Sequence, residues 1–227
     1  MDIELTHRPG NTAAKVTLQA GETITAEAGA MIAMSGNMDI TTTTHKKNSG
    51  GLFKAAKRML GGESLFLNHF EPKGDSGTVF FGTDLAGDMM TMELDNDTLI
   101  VQSGSYLASD SGIDVDLGWQ GFKSLFSGEG VLWLNLKGQG KVILSSFGAI
   151  YPVEVDGEYI VDSGHIVAFD ETLDFSITKA GKSWLHSWLG GEGLVCKFKG
   201  TGTVWCQSHN TSSFGNALGP SLRARKA

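Results

Sequence analysis

A short motif occurs three times along the chain, and this repetition constrains the fold more than any other feature of the sequence. The copies lie at residues 28–35, 103–110 and 163–170, and each begins with a small residue, Gly, any residue, two apolar residues and Ala. Each is followed by a helix-like stretch ending in Gly-Glu, then by two alternating apolar segments around a Gly-rich turn. Repetition of this kind predicts units that stack against one another.

The alternating segments predict β-hairpins with one buried face. Apolar residues recur at every second position of 132–136 and 142–144, on either side of Lys137-Gly138-Gln139-Gly140. The third copy repeats the pattern around Lys199-Gly200-Thr201-Gly202, and the first copy has a longer loop at 71–77. Period-two alternation around a short Gly-containing loop is typical of a hairpin.

The helix-like stretches and the repeat lengths predict how the units assemble. Apolar residues at helical spacing in 53–60, 122–126 and 184–189 predict a short helix in each unit. The boundaries fall near 1–84, 85–150 and 151–212, and such small units bury little surface alone. We therefore predict one all-β domain over 1–212 with pseudo-threefold symmetry, followed by a flexible basic tail over 213–227.

Composition agrees with this interpretation and excludes several classes. The 227 residues include 31 Gly and only 4 Pro, without a three-residue period, which excludes collagen-like chains. No apolar run is long enough for a membrane span, and residues 1–5 lack the features of a secretory signal. Two cysteines fit a reducing compartment. We expect a soluble, cytoplasmic protein.

Charge argues against nucleic-acid binding and leaves weak surface contacts open. The net charge is −7, whereas nucleic-acid affinity depends on Lys and Arg. Acidic residues dominate 84–116, and a basic amphipathic stretch precedes them. Opposite patches invite self-association, although solvated surface is the simpler interpretation. The basic stretch could touch anionic lipid or an acidic partner through Lys46, Lys47, Lys54, Lys57 and Arg58.

Several ordered motifs resemble those of a known family. They are Ala-Gly-Ala-Met at 28–31, Gly-Gly-Glu-Ser-Leu-Phe at 61–66 and Gly-Ser-Tyr-Leu-Ala at 104–108. The chain resembles, over residues 2–210, the mitochondrial-biogenesis family whose yeast founder is named for altered inheritance of mitochondria. The resemblance implies a β-sandwich or barrel-like body built of units similar to the tryptophan-RNA-binding attenuation protein. It also implies homo-oligomers, often trimers, and no established catalytic residues or cofactor.

The two cysteines are candidates for a disulfide or a metal site. In the predicted hairpin, Cys196 and Cys206 lie opposite each other, and His209 is three residues further on. Aligning the repeats, however, places the two cysteines on Leu134 and Leu144, which are apolar inward positions. We therefore predict two small core residues in contact, with metal binding as the weaker alternative.

Four positions are candidates for ligand binding or assembly. Glu63, Glu129 and Glu192 follow the glycines that end the three helix-like stretches, so they could form a cation site on a pseudo-axis. Exposed turn residues after a helix C-terminus are the simpler interpretation. His165 replaces Ser105 and Ala30 of the other copies, and the six histidines show no metal-ligand spacing.

No nucleophile–base pair, acid–base pair or metal shell emerges from these patterns. The sequence predicts a non-enzymatic, homo-oligomeric scaffold or binding protein, in a homotrimer or a larger assembly. It predicts no catalytic residue, metal or cofactor. The alternative is a module that binds a small molecule or peptide in a pocket between pseudo-repeats. A barrel enzyme is the third hypothesis, and it would need clustered His and Glu.

Overall fold

The computed structural model describes residues 1–44, 66–117, 132–179 and 194–222. In these ranges the chain forms fifteen strands and one α-helix, so the predicted all-β class is confirmed. The three predicted helical inserts lie outside the described residues. No helix in the described ranges is long and apolar enough to cross a membrane.

The strands are distributed along the whole described chain. The first segment contains β1 (Asp2–Thr6), β2 (Ala13–Gln19), β3 (Ile24–Glu27), β4 (Met31–Met34), β5 (Met38–Thr44), β6 (Phe66–Pro72) and β7 (Ser76–Phe81). The second contains β8 (Met89–Gln102), β9 (Tyr106–Asp110), β10 (Ile113–Leu117) and β11 (Trp133–Ser145). The third contains β12 (Ile150–Asp162), β13 (Ile166–Asp170), β14 (Asp174–Lys179) and β15 (Leu194–Gln207). Helix α1 (Thr211–Leu218) follows, so the predicted tail begins within a helix.

These strands form two antiparallel sheets. The smaller sheet has the order β1-β2-β7-β4. The larger has the order β12-β15-β13-β8-β11-β9-β3-β6-β5, with β10 beside β11 and β14 beside β15. Two junctions in the larger sheet connect consecutive segments, since Ala26 pairs with Ala108 and Val101 pairs with Ala168. Each segment is therefore hydrogen-bonded through the backbone to the next.

The predicted hairpins are wrong, because in the second and third copies the two alternating segments belong to one continuous strand, and in the first copy they belong to two strands that do not pair. Residues 133–145 form β11 and residues 194–207 form β15. Gly138, Gly140 and Gly200 have φ values of +138°, +143° and +113°, where glycine is favoured, so the strand bends there and continues. In the first segment, β6 and β7 lie in different sheets. The sequence pattern identified the irregular point but not its geometry.

Three apolar clusters form the core. The first contains Val16, Phe70 and Phe81, and the second contains Tyr106, Leu134 and Leu144. The third contains aromatic rings around Phe169, whose centroid lies 5.0 Å from that of Phe175 and 5.1 Å from that of Phe198. Strand β8 supplies residues to all three clusters: Met89 to the first, Leu99 to the second and Ile100 to the third.

Candidate binding pocket

The three copies of the repeated motif contribute to one pocket. Residues 28–30, 103–105 and 163–164 line a pocket of about 530 Å³, together with the residues that follow β7, β11 and β15. We call it the three-motif pocket. Each copy begins with a small residue and a glycine, which keeps side-chain bulk away from this space.

Local backbone geometry explains why the motifs bend here. Residues Ser103–Ser105 and Ser163–His165 each form a single 3₁₀ turn between two strands. In the third copy the Asp162 carboxylate accepts a hydrogen bond from the Gly164 N–H at 2.8 Å and so holds the turn. In the first copy Gly29 has a φ of +97°, which favours glycine.

Helix α1 forms one wall of the pocket, because its residues 211–213 and 216 are among the lining. The Asn210 side chain caps the helix by accepting the Ser213 N–H at 3.1 Å. The same amide packs over Gly164, where an added Cβ would lie 2.0 Å from Asn210 Nδ2. Phe214 lies edge-on to Phe147 with ring centroids 5.3 Å apart. The start of helix α1 therefore packs directly against the third copy of the motif.

Gln207 connects the third motif to the residues after β11. Its Nε2 donates to the Gly164 carbonyl at 3.0 Å, and its Oε1 accepts the Phe147 N–H at 2.9 Å. The Gln207 side chain is buried, so both bonds replace bonds to water. This one amide fixes the position of two pocket walls.

Hydroxyl groups line the part of the pocket beside the second motif. Ser145 and Ser146 are buried at the end of β11. Ser146 Oγ lies 3.1 Å from the Asp88 carbonyl oxygen and 2.9 Å from the Gly148 carbonyl oxygen, and the hydroxyl can donate a hydrogen bond to either. Ser145 Oγ donates to the Ser105 carbonyl at 3.5 Å. The lining is mixed, and its apolar side chains are those of Ala28, Ala30, Leu85, Leu107, Leu132 and Phe147.

The charged side chains that line the pocket in the described ranges are all acidic. The described lining includes the carboxylates Glu27, Asp84 and Asp162, and no Lys, Arg or His. Carboxylates in a recess repel anions and attract cations or hydrogen-bond donors. The arrangement suits a neutral polar or cationic molecule better than a phosphate or a nucleotide.

The site residues expected from sequence have different outcomes. Glu63, Glu129 and Glu192 lie outside the described residues, as do Lys46, Lys47, Lys54, Lys57 and Arg58. His165 is described but does not line the three-motif pocket. Its Nδ1 donates to the Gln207 carbonyl at 2.8 Å, since a carbonyl can only accept. This bond anchors the third motif to β15.

The cysteines are buried core residues, but they are not opposite each other. Cys196 and Cys206 occupy the same strand, where Cys196 pairs with Val161 and Cys206 with Tyr151. Both are free and belong to the third apolar cluster. Burial raises the pKa of the Cys196 thiol to about 12 and that of Cys206 to about 11. In the described ranges no group of three His, Cys, Asp or Glu residues could hold a metal ion.

Sequence reasoning missed the residues that build the pocket walls, chiefly Asp162, Gln207 and Asn210. Asp162 immediately precedes the third motif, and the aligned position before the second motif is Gln102, which also lines the pocket. A polar residue at the same position before both motifs, Gln102 and Asp162, could have indicated a shared role. Gln207 ends β15 and Asn210 follows it, and neither carries a comparable signal, because only folding brings them beside residue 164.

Comparisons with known proteins cover nearly the whole chain. Residues 3–209 match the family model described as mitochondrial biogenesis AIM24. An uncharacterised protein of Streptococcus pyogenes serotype M6, M6_Spy0233, is 29% identical over 210 residues, which are 90% of this chain and 84% of that protein. The crystal structure of Streptococcus pyogenes protein SPYM3_0169 superposes with a TM-score of 0.80 at 25% identity, covering 97% of this chain and 99% of that one.

Proposed function

The chain belongs to the mitochondrial biogenesis AIM24 family, and on this premise we propose that it is a non-enzymatic binding protein that holds a small polar molecule in the three-motif pocket. The observation that carries the proposal is the contribution of all three motif copies to one pocket of about 530 Å³. Pockets for small molecules span roughly 300–1,000 Å³. A site made of equivalent turns also explains why the repetition is concentrated at these residues.

The pocket chemistry defines the ligand class. Hydroxyl and amide groups of residues such as Ser103, Ser163 and Asn216 offer both donors and acceptors, and the charged groups are carboxylates. A polyol, a sugar or an amine meets these requirements, because each donates several hydrogen bonds and none carries negative charge. Anions of similar size would be repelled by Asp84 and Asp162.

Part of the proposal is that the three segments are pseudo-symmetric units of the attenuation-protein type. The side chain of each motif's last residue accepts a backbone N–H from the strand beside it, which supports the equivalence of the segments. The donor and acceptor pairs are Thr78 and Ser35 at 3.0 Å, Lys141 and Asp110 at 2.7 Å, and Thr203 and Asp170 at 2.7 Å. The motif thus has a structural role at its end and a pocket-lining role at its start.

A glycine substitution can test pocket binding without disturbing the fold. A Cβ at Gly104 meets no atom within 4 Å, so Gly104→Phe should fill pocket space while preserving the backbone. Gly36 also has open space around a Cβ and does not line the pocket, so Gly36→Phe is the matched control. Both variants should unfold at the same temperature as the unmodified protein.

Binding should be measured by calorimetry and thermal shift against neutral polyols, sugars, amines and phosphate-bearing anions. We expect neutral or cationic compounds to bind the unmodified protein and Gly36→Phe, with Gly104→Phe weakened at least about tenfold. Native mass spectrometry of the purified proteins gives a second readout of any co-purifying molecule. Equal binding by both variants, or binding of anions alone, would contradict the proposal.

We also propose that the chain self-associates, as a homotrimer or another homo-oligomer, so that it can act as a scaffold. Large apolar side chains exposed on strands support this second role. They include Ile32, which is 61% exposed, and Ile160, which is 54% exposed. Light scattering across a range of micromolar concentrations tests it, and a monomer at every concentration would contradict it.

A further inference from the structure

Four strands, β1, β4, β5 and β12, end the two sheets in the described ranges, and each has one edge without a hydrogen-bonded neighbour. Two of these edges, on β4 and β12, are complementary. Strand β4 pairs with β7 and ends the smaller sheet, whereas β12 pairs with β15 and ends the larger one. Strand β4 contains no charged residue and no proline, the features that normally protect an edge from association. The Tyr159–Val161 stretch of β12 likewise contains no charged residue and no proline, so both edges are open to another strand there.

These two edges are the counterparts of edges that already pair inside the chain. In the motif alignment, Ala33 of β4 corresponds to Ala108 of β9 and to Ala168 of β13. Ala108 pairs with Ala26 of the preceding segment, and Ala168 pairs with Val101 of the preceding segment. In the described ranges neither β4 nor β12 makes the corresponding pairing, because β4 pairs only with β7 and β12 only with β15.

In each internal junction, the motif strand pairs with the strand that leads into the motif of the preceding segment. The lead-in 159–162 of the third segment aligns with 99–102 of the second, so Val161 corresponds to Val101. Continuing the internal register pairs Val161 with Ala33, Ile160 with Met34 and Tyr159 with Ser35. Tyr159 and Ile160 are 47% and 54% exposed, and Met34 is 37% exposed, so this pairing would cover apolar surface.

Ile32 gives an independent indication of the same junction. The ladder is irregular at this position in β4, and it is irregular at the equivalent positions of β9 and β13. The counterparts Leu107 and Val167 are 2% and 0% exposed, and they pack in the first and second apolar clusters, each formed largely by the preceding segment. Ile32 itself is 61% exposed. In the described ranges no strand pairs with β4 on the side where the preceding segment pairs with β9 and β13.

We propose that β4 of one copy pairs antiparallel with Tyr159–Val161 of β12 in a second copy, and that Ile32 then packs on the third apolar cluster of that copy beside Val161. The contact joins two different edges, so it is heterologous and builds a ring or a longer assembly. This inference rests on the proposed self-association and assigns its interface and register.

A mixing experiment tests the partner and the register together. Ile160→Cys and Met34→Cys are made in separate proteins, one of them carrying a tag, and are mixed under mild oxidation. Directly paired antiparallel residues lie within disulfide range, and the buried native cysteines should contribute little. We expect tagged–untagged heterodimers well in excess of those from the control pair Ile160→Cys and Ile40→Cys, because Ile40 is 39% exposed on β5, away from this junction.

Equal heterodimer yield from the two pairs would overturn the interface. A single chain carrying both Ile160→Cys and Met34→Cys provides a further test. If it forms the disulfide only within a monomer, the two edges close on each other in one molecule, and the second copy is excluded as the partner.

Charge substitutions separate this inference from the self-association on which it rests. Ile32→Glu should raise the dissociation constant of the assembly at least about tenfold, because it places a carboxylate against an apolar cluster. Ile40→Glu, also on an exposed strand, should leave it unchanged. If the unmodified protein is a monomer, both proposals fail. If it assembles and Ile32→Glu assembles equally well, only the interface is wrong.

Discussion

Asp88 shows how one residue fixes the connection between segments. Its carboxylate is 6% exposed and accepts Arg8 Nε at 2.9 Å, Arg8 Nη2 at 2.8 Å, Thr12 Oγ1 at 2.8 Å and the Met89 N–H at 2.8 Å. Burial alone would raise its pKa, but the hydrogen bonds from Arg8, Thr12 and Met89 outweigh burial and lower it. The ionised form is therefore the one that the fold stabilises.

Asp88→Asn should reduce the free energy of unfolding by about 2–3 kcal/mol at pH 7, because it weakens charged hydrogen bonds in a buried place. A lowered pKa in the folded state adds stability above the unfolded pKa of about 4, and this stability disappears as the pH falls through the folded value. The difference between variant and unmodified protein should therefore shrink below about pH 4. Urea denaturation at pH 7 and pH 3 measures it.

Asp39→Asn is the matched control for this prediction. Asp39 forms an ion pair with Lys73 at 2.7 Å, but both side chains are more than half exposed. Exposed pairs contribute little, so the change should stay within about 0.5 kcal/mol. A similar loss in both variants would contradict the role assigned to the buried carboxylate.

At the scale of elements, the glycines inside β11 and β15 determine the backbone conformation of these two strands. They let one strand bend while its ladder continues, for example where Lys137 pairs with Thr98 and Gln139 with Asp95. A hairpin and a bent strand have the same alternation and the same glycines. The sequence therefore predicted two strands and a turn where the chain uses one long strand.

Gly140→Ala should destabilise the fold by about 1–3 kcal/mol. Gly140 has a φ of +143°, and an added Cβ would lie 2.6 Å from Asp110 Cβ. Gly36→Ala is the control, since its Cβ would meet no atom within 4 Å. Thermal unfolding followed by circular dichroism measures both variants. Equal midpoints would show that the bend tolerates a side chain.

At the scale of the molecule, the three apolar clusters are not independent. Strand β8 contributes to all of them, and the two segment junctions are backbone ladders. Separate domains would each have a hydrophobic core of their own, with no strand shared between cores. We therefore expect the described body to unfold as one cooperative unit.

Native-state hydrogen exchange with mass spectrometry tests this cooperativity. The most protected amides of β2, β11 and β15 should open with the same free energy, because each depends on clusters that share β8. Ile100→Ala, in the third cluster, should lower all three values by the same amount, roughly 2–5 kcal/mol. A decrease confined to β15 would show that the segments unfold separately.

Much of the fold and little of the candidate site could be predicted from the sequence. Alternation in 132–144 and 194–206 identified strands, since period two reports a sheet with one buried face. The motif copies include residues that line the pocket, but the repetition alone did not predict that they meet in one place. Helix α1 was missed because its eight residues are exposed, and its apolar positions Phe214, Ala217 and Leu218 span only about one turn, too short a pattern to indicate a helix.

The sequence by itself determined the all-β class, the family and the positions where the strands are irregular, because periodicity and glycine placement act over a few neighbouring residues. Tertiary structure alone decided that β11 and β15 continue through their glycines, and that Gln207 and Asn210 meet residue 164. It also left one edge of β4 and one edge of β12 unpaired in the described ranges. These outcomes depend on which distant backbone groups find each other, and pairing energy between strands far apart in sequence leaves no local pattern.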